Sequence, residues 1–325
     1  MANPILRIVS ALTLMLACAL GQAQTASNYP CSTIKFVVPY PPGGASDLLA
    51  RMLVPGLSRQ LGSTIVVENK AGASGNIGTG LVSTAADDGC TLLLGNSTGV
   101  VINRNLYKLA HDPVNSLTPV AEVAAVPMVL YVNASLPVSN LRELIDLVKK
   151  NPGKYSYASP GSGSTHHLLA ELFKLEHGLF MIHIPYRGSG PAISDMLAGH
   201  VSIAFEGTSA IVPHLGSSKI KAIATTGAGR SGSMPEVPTM KELGYPKFVV
   251  TNWYGLFVPA KTPAALVNQL NAEVRKILKS PEIVQSLAQM GSETSDYSAD
   301  QYMQFVKREI PYWESLVKQT GAKID

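Results

Sequence analysis

Residues 34–47 read IKFVVPYPPGGASD and contain one complete strand–turn–helix transition. The apolar run Ile34–Pro39 predicts a buried strand, because short apolar runs bounded by turn residues are typical of such strands. Pro41–Gly44 predicts a turn, and Ala45 or Ser46 begins a helix whose apolar side chains recur at helical spacing. A strand that leads through a glycine turn into a helix is the unit from which α/β folds are built.

The alternation of strands and helices continues along the chain. Further strands are predicted at Thr64–Glu68, Thr91–Leu94, Tyr155–Ala158, Ile182–Pro185, Val201–Phe205, Ile220–Thr225 and Tyr254–Val258. Helices are predicted at Ile77–Ala86, after Asn140, at Thr165–His177, from Pro263, at Pro281–Met290 and after Ser298. This order predicts an α/β fold of two lobes, each a mostly parallel sheet flanked by helices.

The composition is that of a folded protein with few charges. Of the 325 residues, 46% are hydrophobic and 15% are charged, and the formal net charge is +4. Disordered chains are rich in charge and poor in apolar residues, so disorder is excluded. The sequence has no clusters of Lys and Arg, so no nucleic-acid partner is expected. At roughly 100–200 residues per domain, the length favours two domains.

Residues 1–26 have the pattern of a secretory signal. A basic residue precedes the apolar run Ile8–Leu20, and small residues precede candidate cleavage points near Ala23 and Ala26. The run is too short for the roughly 20 residues that span a bilayer. We therefore expect an exported and soluble mature protein. A buried N-terminal helix and a lipoprotein modified at Cys18 are the alternatives.

Removal of this segment leaves two cysteines, Cys31 and Cys90. In an exported chain two cysteines are most simply one disulfide, and two buried free thiols are the alternative. The paired Cys or His spacing of a zinc site does not accompany them, so no metal is expected.

Two glycine turns, Pro41–Asp47 (PPGGASD) and Pro160–His166 (PGSGSTH), each follow a predicted strand and begin a helix. Unpaired N–H groups and the helix dipole make a helix start attractive to anions. Neither turn contains Lys or Arg, which favours a carboxylate that is held and then released. Phosphate-loop and dinucleotide motifs do not occur, so no cofactor is expected. The alternative is that both turns are ordinary joints of an α/β fold.

Three further side chains are candidates for contact with a bound acid. Arg187 follows a strand end and is the candidate for a charge contact; the alternative is a solvated loop residue. His166 is either a donor to a ligand or a plain residue of the helix start. Glu206 either accepts a proton from a ligand or caps a turn.

A competing pattern is Gly95–Gly99 (GNSTG), which matches the G-x-S-x-G of hydrolase nucleophiles and follows a strand. With Asp195 and His214 it supplies the Ser–Asp–His order of an α/β hydrolase, with Ser97 as the nucleophile. The residues that follow do not predict the helix that a nucleophile elbow requires. A secreted hydrolase is therefore the alternative to a binding protein.

The stretch Ile34–Asp47 resembles the start of the Bug-type solute receptors, the binding proteins of tripartite tricarboxylate transporters. The likeness continues, in order, through Val67–Gly75, Asp88–Leu92, Tyr157–Ser164, Ile184–Gly188, Pro235–Thr239 and Trp253–Ala260. It covers nearly the whole chain after the signal. At Cys90 the family commonly has an aromatic residue, and this departure supports a disulfide with Cys31.

The resemblance implies a periplasmic Venus flytrap of the type II binding-protein fold. We expect one lobe of residues 27–126 plus 249–325, and a second lobe of residues 127–248. The ligand carboxylate is then held between the lobes. The candidate ligand-binding residues are Tyr40, Gly43, Gly44, Ala45, Ser46, Asp47, Asn96, Ser97, Thr98, Ser159, Ser162, Gly163, Ser164, His166, Tyr186, Arg187, Gly188 and Glu206.

The function that the resemblance implies is capture without catalysis. The ligand is expected to be a di- or tricarboxylate or an aromatic acid, taken up by a monomer. The expected partners are the permease subunits of a tripartite tricarboxylate transporter, or alternatively a membrane sensor.

Overall fold

The computed structural model describes residues 29–324, so the predicted signal segment and its cleavage points lie outside the described residues. The strands are β1 (Thr33–Val38), β2 (Thr64–Asn69), β3 (Thr91–Asn96), β4 (Leu117–Asn133), β5 (Ser156–Ser159), β6 (Ile182–Pro185), β7 (Ile203–Gly207), β8 (Ile220–Thr225) and β9 (Thr251–Pro259). The α-helices are α1 (Ala45–Leu61), α2 (Asn76–Ser83), α3 (Pro113–Ser116), α4 (Leu141–Lys150), α5 (Thr165–His177), α6 (Ser189–Ala198), α7 (Thr208–Ile211), α8 (Ala264–Leu278), α9 (Pro281–Gln289) and α10 (Ala299–Thr320).

The strands of the described chain form one mixed sheet in the order β2-β1-β3-β9-β4-β7-β5-β6, with β8 also paired to β4. β1 is parallel to β2 and β3, and β5 is parallel to β6 and β7. The return strands β4 and β9 run antiparallel to their neighbours. The predicted parallel units are therefore present, and antiparallel return strands connect them.

The long strand β4 divides this sheet into two halves. Residues Leu117–Pro127 pair with β9, Met128–Val132 pair with β7, and Val129–Asn133 pair with β8. Sequence reasoning did not identify β4. Its 17 residues include Pro119 and Pro127, and prolines inside a run argue against a central strand. Pairing irregularities next to Pro119, and the exchange of partners after Pro127, accommodate the missing N–H donors.

Local sequence signals set several element boundaries. The helix Thr165–His177 and the strands Ile182–Pro185 and Ile220–Thr225 have the predicted limits. The Asn140 side chain caps α4 by accepting from the Glu143 N–H, and a reciprocal capping box opens α10. Other predicted boundaries differ from the structure by a few residues.

Pro263 precedes α8 as its N-cap residue and is not its first helical residue. The strand predicted from Val201 begins two residues later, at Ile203, because Val201 still belongs to the turn that ends α6.

The apolar core runs through both halves of the sheet. Its largest cluster joins Val37 and Leu93 in one half to Leu130 and Phe205 in the other. The C-terminal helix α10 contacts both β4 and α5, so it packs against each half. Within the described residues, no helix is long and apolar enough to cross a membrane.

The predicted disulfide is confirmed, because Cys31 and Cys90 are bonded and their Cα atoms lie 5.6 Å apart. The bond joins the residues that lead into β1 and β3. Beside it, the Tyr29 hydroxyl donates to the Gly89 carbonyl at 2.7 Å. The same two segments are therefore joined by a covalent bond and by a hydrogen bond.

Candidate functional site

A narrow cavity of about 30 Å³, here called the inner cavity, lies at the carboxyl ends of β1, β3 and β5. Ligands of open α/β sheets bind at this edge, where the strand order reverses. Residues from both halves of the sheet line it: Tyr40, Pro41, Gly44, Ala45, Ser46, Asn96, Thr98 and Tyr254 from one half, and Pro160, Ser164, His166 and Ser189 from the other.

Three helix N-termini meet at the inner cavity. Ala45 begins α1, Ser164 is the N-cap of α5, and Ser189 begins α6, and all three residues line the cavity. No side chain caps α1 or α6, so their first-turn N–H groups are open to a ligand. The sequence predicted the first two starts and missed α6. Its signal was Gly188 after a strand, followed by Pro191 within the first helical turn.

The first glycine turn is held from behind by Asp47. Its carboxylate accepts from the Gly43 N–H at 3.1 Å, from Arg51 Nε at 3.0 Å and from Asn69 Nδ2 at 3.0 Å. Burial alone would raise the pKa of Asp47, but these hydrogen bonds and the Arg51 charge lower it below the usual range. Gly43 and Asp47 therefore do not line the cavity; they fix the loop that presents Gly44 and Ser46.

Tyr40 closes one side of the inner cavity as a neutral donor. Its hydroxyl donates to Asn96 Oδ1 at 3.1 Å. Asn96 Oδ1 also accepts from the Gly99 N–H. Burial raises the pKa of Tyr40 to about 12, although hydrogen bonds with Asn96 and Thr98 oppose the rise. The phenol therefore stays uncharged near neutral pH and does not repel an anion.

The Ser97 hydroxyl joins the two halves of the sheet. It donates to Asn252 Oδ1 at 2.6 Å and lies 3.0 Å from the Thr165 hydroxyl, and Ser97 is fully buried. Asp195, its partner in the hydrolase hypothesis, instead accepts from the Tyr186 hydroxyl at 2.7 Å and contacts His200. A nucleophilic serine needs a base within hydrogen-bond reach. The Ser97 partners are an amide and a hydroxyl, so this geometry is that of a structural link.

His166 and Glu206 form a buried pair beside the cavity. His166 Nε2 lies 2.8 Å from Glu206 Oε1, and the side chains are 6% and 3% exposed. Burial alone would raise the pKa of Glu206, but the hydrogen bonds from His166 and from the Gly207 N–H lower it. Glu206 is therefore ionised. His166 lines the cavity, and Glu206 stands behind it.

The second glycine turn is shaped by contacts of its own residues. The Ser159 hydroxyl lies 2.7 Å from His183 Nε2, and the Gly163 N–H donates to His167 Nδ1 at 3.0 Å. The Ser162 carbonyl accepts from the Ser74 hydroxyl at 2.7 Å, across the cleft. These three predicted site residues, Ser159, Ser162 and Gly163, lie next to the cavity and hold the turn that carries Ser164.

An outer cavity of about 540 Å³ adjoins the inner one and shares Tyr40, Pro41 and Pro160 with it. Tyr186, Arg187 and Gly188 line this outer cavity together with the loop of residues 71–75. Arg187 is exposed there. The predicted cationic residue therefore lies outside the inner cavity and lines the outer one.

Comparison with known proteins agrees with the sequence resemblance. Residues 49–322 match the family described as "Tripartite tricarboxylate transporter family receptor". Protein BugT of Bordetella pertussis (strain Tohama I) is 38% identical over 325 residues, 98% of each chain.

Two solved structures share the fold over most of the chain. The periplasmic binding protein BugD has 35% sequence identity and a TM-score of 0.86, covering 91% of this chain and 99% of its own. Rpa4515 of R. palustris, solved with adipate, has 33% identity and a TM-score of 0.88, with the same coverage of 91% and 99%. The predicted two-lobed binding-protein fold is confirmed, and the chain belongs to the tripartite tricarboxylate transporter receptor family as a Bug-type protein.

Proposed function

We propose that this protein is an exported receptor that captures a small organic carboxylate between two lobes and delivers it to a membrane permease. One observation carries the proposal: three helix N-termini meet at a cavity whose lining, among the described residues, contains neither Lys nor Arg. A helix start stabilises an anion by roughly 0.3–2 kcal/mol, depending on burial. Dipoles and hydroxyls can thus hold a carboxylate and release it when the cleft opens.

The two cavities are suited to different parts of one ligand. The inner cavity has room for a carboxylate, and the outer cavity has room for the rest of a di- or tricarboxylate or an aromatic acid. Arg187, at the outer cavity, is placed to contact a second acidic group. The adipate in the Rpa4515 structure supports this ligand class.

The lobes are residues 27–126 plus 249–325 and residues 127–248, and they close about a hinge in β4 and β9. Pro127 pairs with Thr251 at the last contact of β4 with β9, and Met128 begins the pairing with β7. The strand β4 continues from one half to the other here, so the strand pairing within each half can be kept when the halves rotate.

We place the receptor in the periplasm, after cleavage of the signal near Ala23 or Ala26. The partner is the permease of a tripartite tricarboxylate transporter. Family membership and the sequence pattern of residues 1–26 support both statements.

A thermal-shift screen tests carboxylate capture. The purified mature protein is melted with succinate, adipate, malate, citrate or benzoate, each compared with its uncharged amide. At least one acid is expected to raise Tm, because a ligand that binds only the folded state stabilises it. If no acid shifts Tm while an ester substrate is hydrolysed, the receptor function is wrong.

Replacement of Gly44 by valine tests the site itself. A Cβ at position 44 would lie 3.7 Å from Ser189 Cβ, so a branched side chain fills the gap between the α1 and α6 starts. Gly44→Val is expected to abolish the shift produced by the best acid, while the ligand-free Tm changes little because φ is −86°. Gly80→Val is the control, since its Cβ meets nothing within 4 Å. Undiminished binding by Gly44→Val would place the ligand elsewhere.

A further inference from the structure

His166 has one ring nitrogen bonded and the other enclosed without a partner. Nε2 lies 2.8 Å from Oε1 of Glu206. Within residues 29–324 no hydrogen-bonding group reaches Nδ1, although this atom is fully buried. The ring also lines the inner cavity. Because buried polar atoms are normally paired, an occupant of the cavity is the expected partner of Nδ1.

Glu206 determines which protonation state of His166 fits such an occupant. The carboxylate accepts from the Gly207 N–H at 2.8 Å. Burial would raise the pKa of Glu206, but its hydrogen bonds with His166 and the Gly207 N–H lower it. An ionised Glu206 can only accept, so Nε2 carries a hydrogen. For Nδ1 to donate to a ligand carboxylate as well, His166 must be an imidazolium.

The tyrosines around this pair stay neutral. Tyr131 of β4 and Tyr254 of β9 face Glu206, and Tyr40 lies beside Tyr254; burial raises the pKa of all three. His167, the next residue on α5, is turned away and stacks on His183 at 4.2 Å. The lining of the inner cavity contains no Lys or Arg among the described residues. His166 is thus the group placed to supply a positive charge.

We propose that His166 takes up a proton when an acid enters the inner cavity, and that its imidazolium bridges the acid's carboxylate and Glu206. This inference rests on the proposed function. One proton from solvent is bound at Nδ1, and no bond of the acid is made or broken. The proton leaves one net negative charge in the enclosed cluster where two would otherwise meet.

Titration calorimetry with the panel acid that stabilises the protein most tests this. The heat is measured in phosphate and in Tris buffer between pH 7.5 and 9, where all five panel acids are fully ionised. We expect uptake of up to one proton per acid bound. The Kd is expected to rise by up to about tenfold per pH unit across this range, because binding then takes up a proton.

Two variants test whether His166 is the group that binds the proton. His166→Gln keeps a side-chain donor and is expected to bind more weakly, without proton uptake. His111→Gln, at an exposed histidine away from the cavity, is expected to keep the wild-type uptake. If His166→Gln does not fold, the wild-type linkage together with the loss of uptake in Glu206→Gln decides the question.

The outcomes separate this inference from the receptor function. Binding with no proton uptake and a constant Kd from pH 7.5 to 9 overturns the role of His166 but leaves carboxylate capture intact. Full uptake by His166→Gln likewise overturns it. If no panel acid binds at any pH, the receptor function itself fails.

Discussion

Asp47 and Glu206 are two buried carboxylates close to a site proposed for anions, and neither lines it. Each is paired from behind, Asp47 with Arg51 and Asn69, and Glu206 with His166. Partners of this kind lower the pKa of both groups in spite of burial. Their charges are therefore used to orient donors, the Gly43 N–H and the His166 ring, rather than to contact a ligand.

Asp47→Asn is expected to lower the free energy of unfolding by about 1–2 kcal/mol at pH 7, since charged hydrogen bonds to a half-exposed Arg51 are partly screened. The pKa of Asp47 is lowered by folding, so its contribution is fully present above the unfolded pKa of about 4. It is lost as the pH falls through the lower folded value. Urea unfolding should therefore show a difference from wild type that shrinks below pH 4.

Asp146→Asn is the control for this measurement. Asp146 is exposed on α4. Its replacement should leave the unfolding free energy within about 0.5 kcal/mol of wild type both at pH 7 and below pH 4. A wild-type stability in Asp47→Asn at pH 7 would contradict the role given to the Asp47 cluster.

At the scale of elements, α10 is held against the sheet by close contact with a glycine. A Cβ at Gly255 in β9 would lie 1.9 Å from the Tyr302 hydroxyl oxygen, and Tyr302 is fully buried on α10. Glycine thus allows the helix to reach β9 and to pack against both halves of the sheet.

Gly255→Ala is expected to destabilise the protein by about 1–3 kcal/mol, the usual cost of inserting a group into a full core. Chemical denaturation measures the change. Gly229→Ala is the matched control, because nothing lies within 4 Å of its Cβ. Equal stability of the two variants would show that α10 shifts freely on the sheet.

The disulfide also holds elements together, since it closes a loop with a sequence separation of 59 residues. Replacement of both cysteines by serine is expected to lower stability by about 2–4 kcal/mol, because the open chain gains entropy when it unfolds. Ligand affinity should not change, since the bond joins the far ends of β1 and β3. Thiol titration of the denatured, unreduced wild type should find no free thiol in the mature chain; two free thiols would contradict the bond.

At the scale of the whole molecule, the proposed closure takes place where β4 exchanges partners. Residues of the two proposed lobes meet across the inner cavity at Gly44 and Ser189. A Cβ at position 44 would lie 3.7 Å from Ser189 Cβ, within the 3.5–4.5 Å range of disulfides. This pair therefore offers a lock for the closed cleft.

The double variant Gly44→Cys with Ser189→Cys is expected to form a bond that holds the lobes closed. In the oxidised protein, the association rate of the best panel acid should fall by about tenfold or more, because only the open cleft admits it. Reduction should return the rate to that of the single variant Gly44→Cys, which is the reference because its side chain already occupies part of the gap between the α1 and α6 starts. Wild type treated with the same reductant controls for the Cys31–Cys90 bond. Unhindered binding by the locked protein would exclude hinge opening as the route of entry.

The sequence by itself determined those features whose causes lie within a few residues. Apolar periodicity and turn residues predicted β1, the glycine turn and α1, and capping pairs predicted the starts of α4 and α10. Ordered motifs identified the family, and the two cysteines that follow the predicted signal segment indicated the disulfide. Each of these signals is local or a matter of residue identity, so no knowledge of the sheet order was needed.

Only the tertiary structure decided which of these residues share a cavity. The Ser97–Asn252 link spans 155 residues, and the His166–Glu206 pair spans 40. Ser189 lines the inner cavity, and Arg187 lies outside it. These placements depend on strand order and on the path of β4 between the halves. No local pattern encodes such distances, because they arise when the whole sheet assembles.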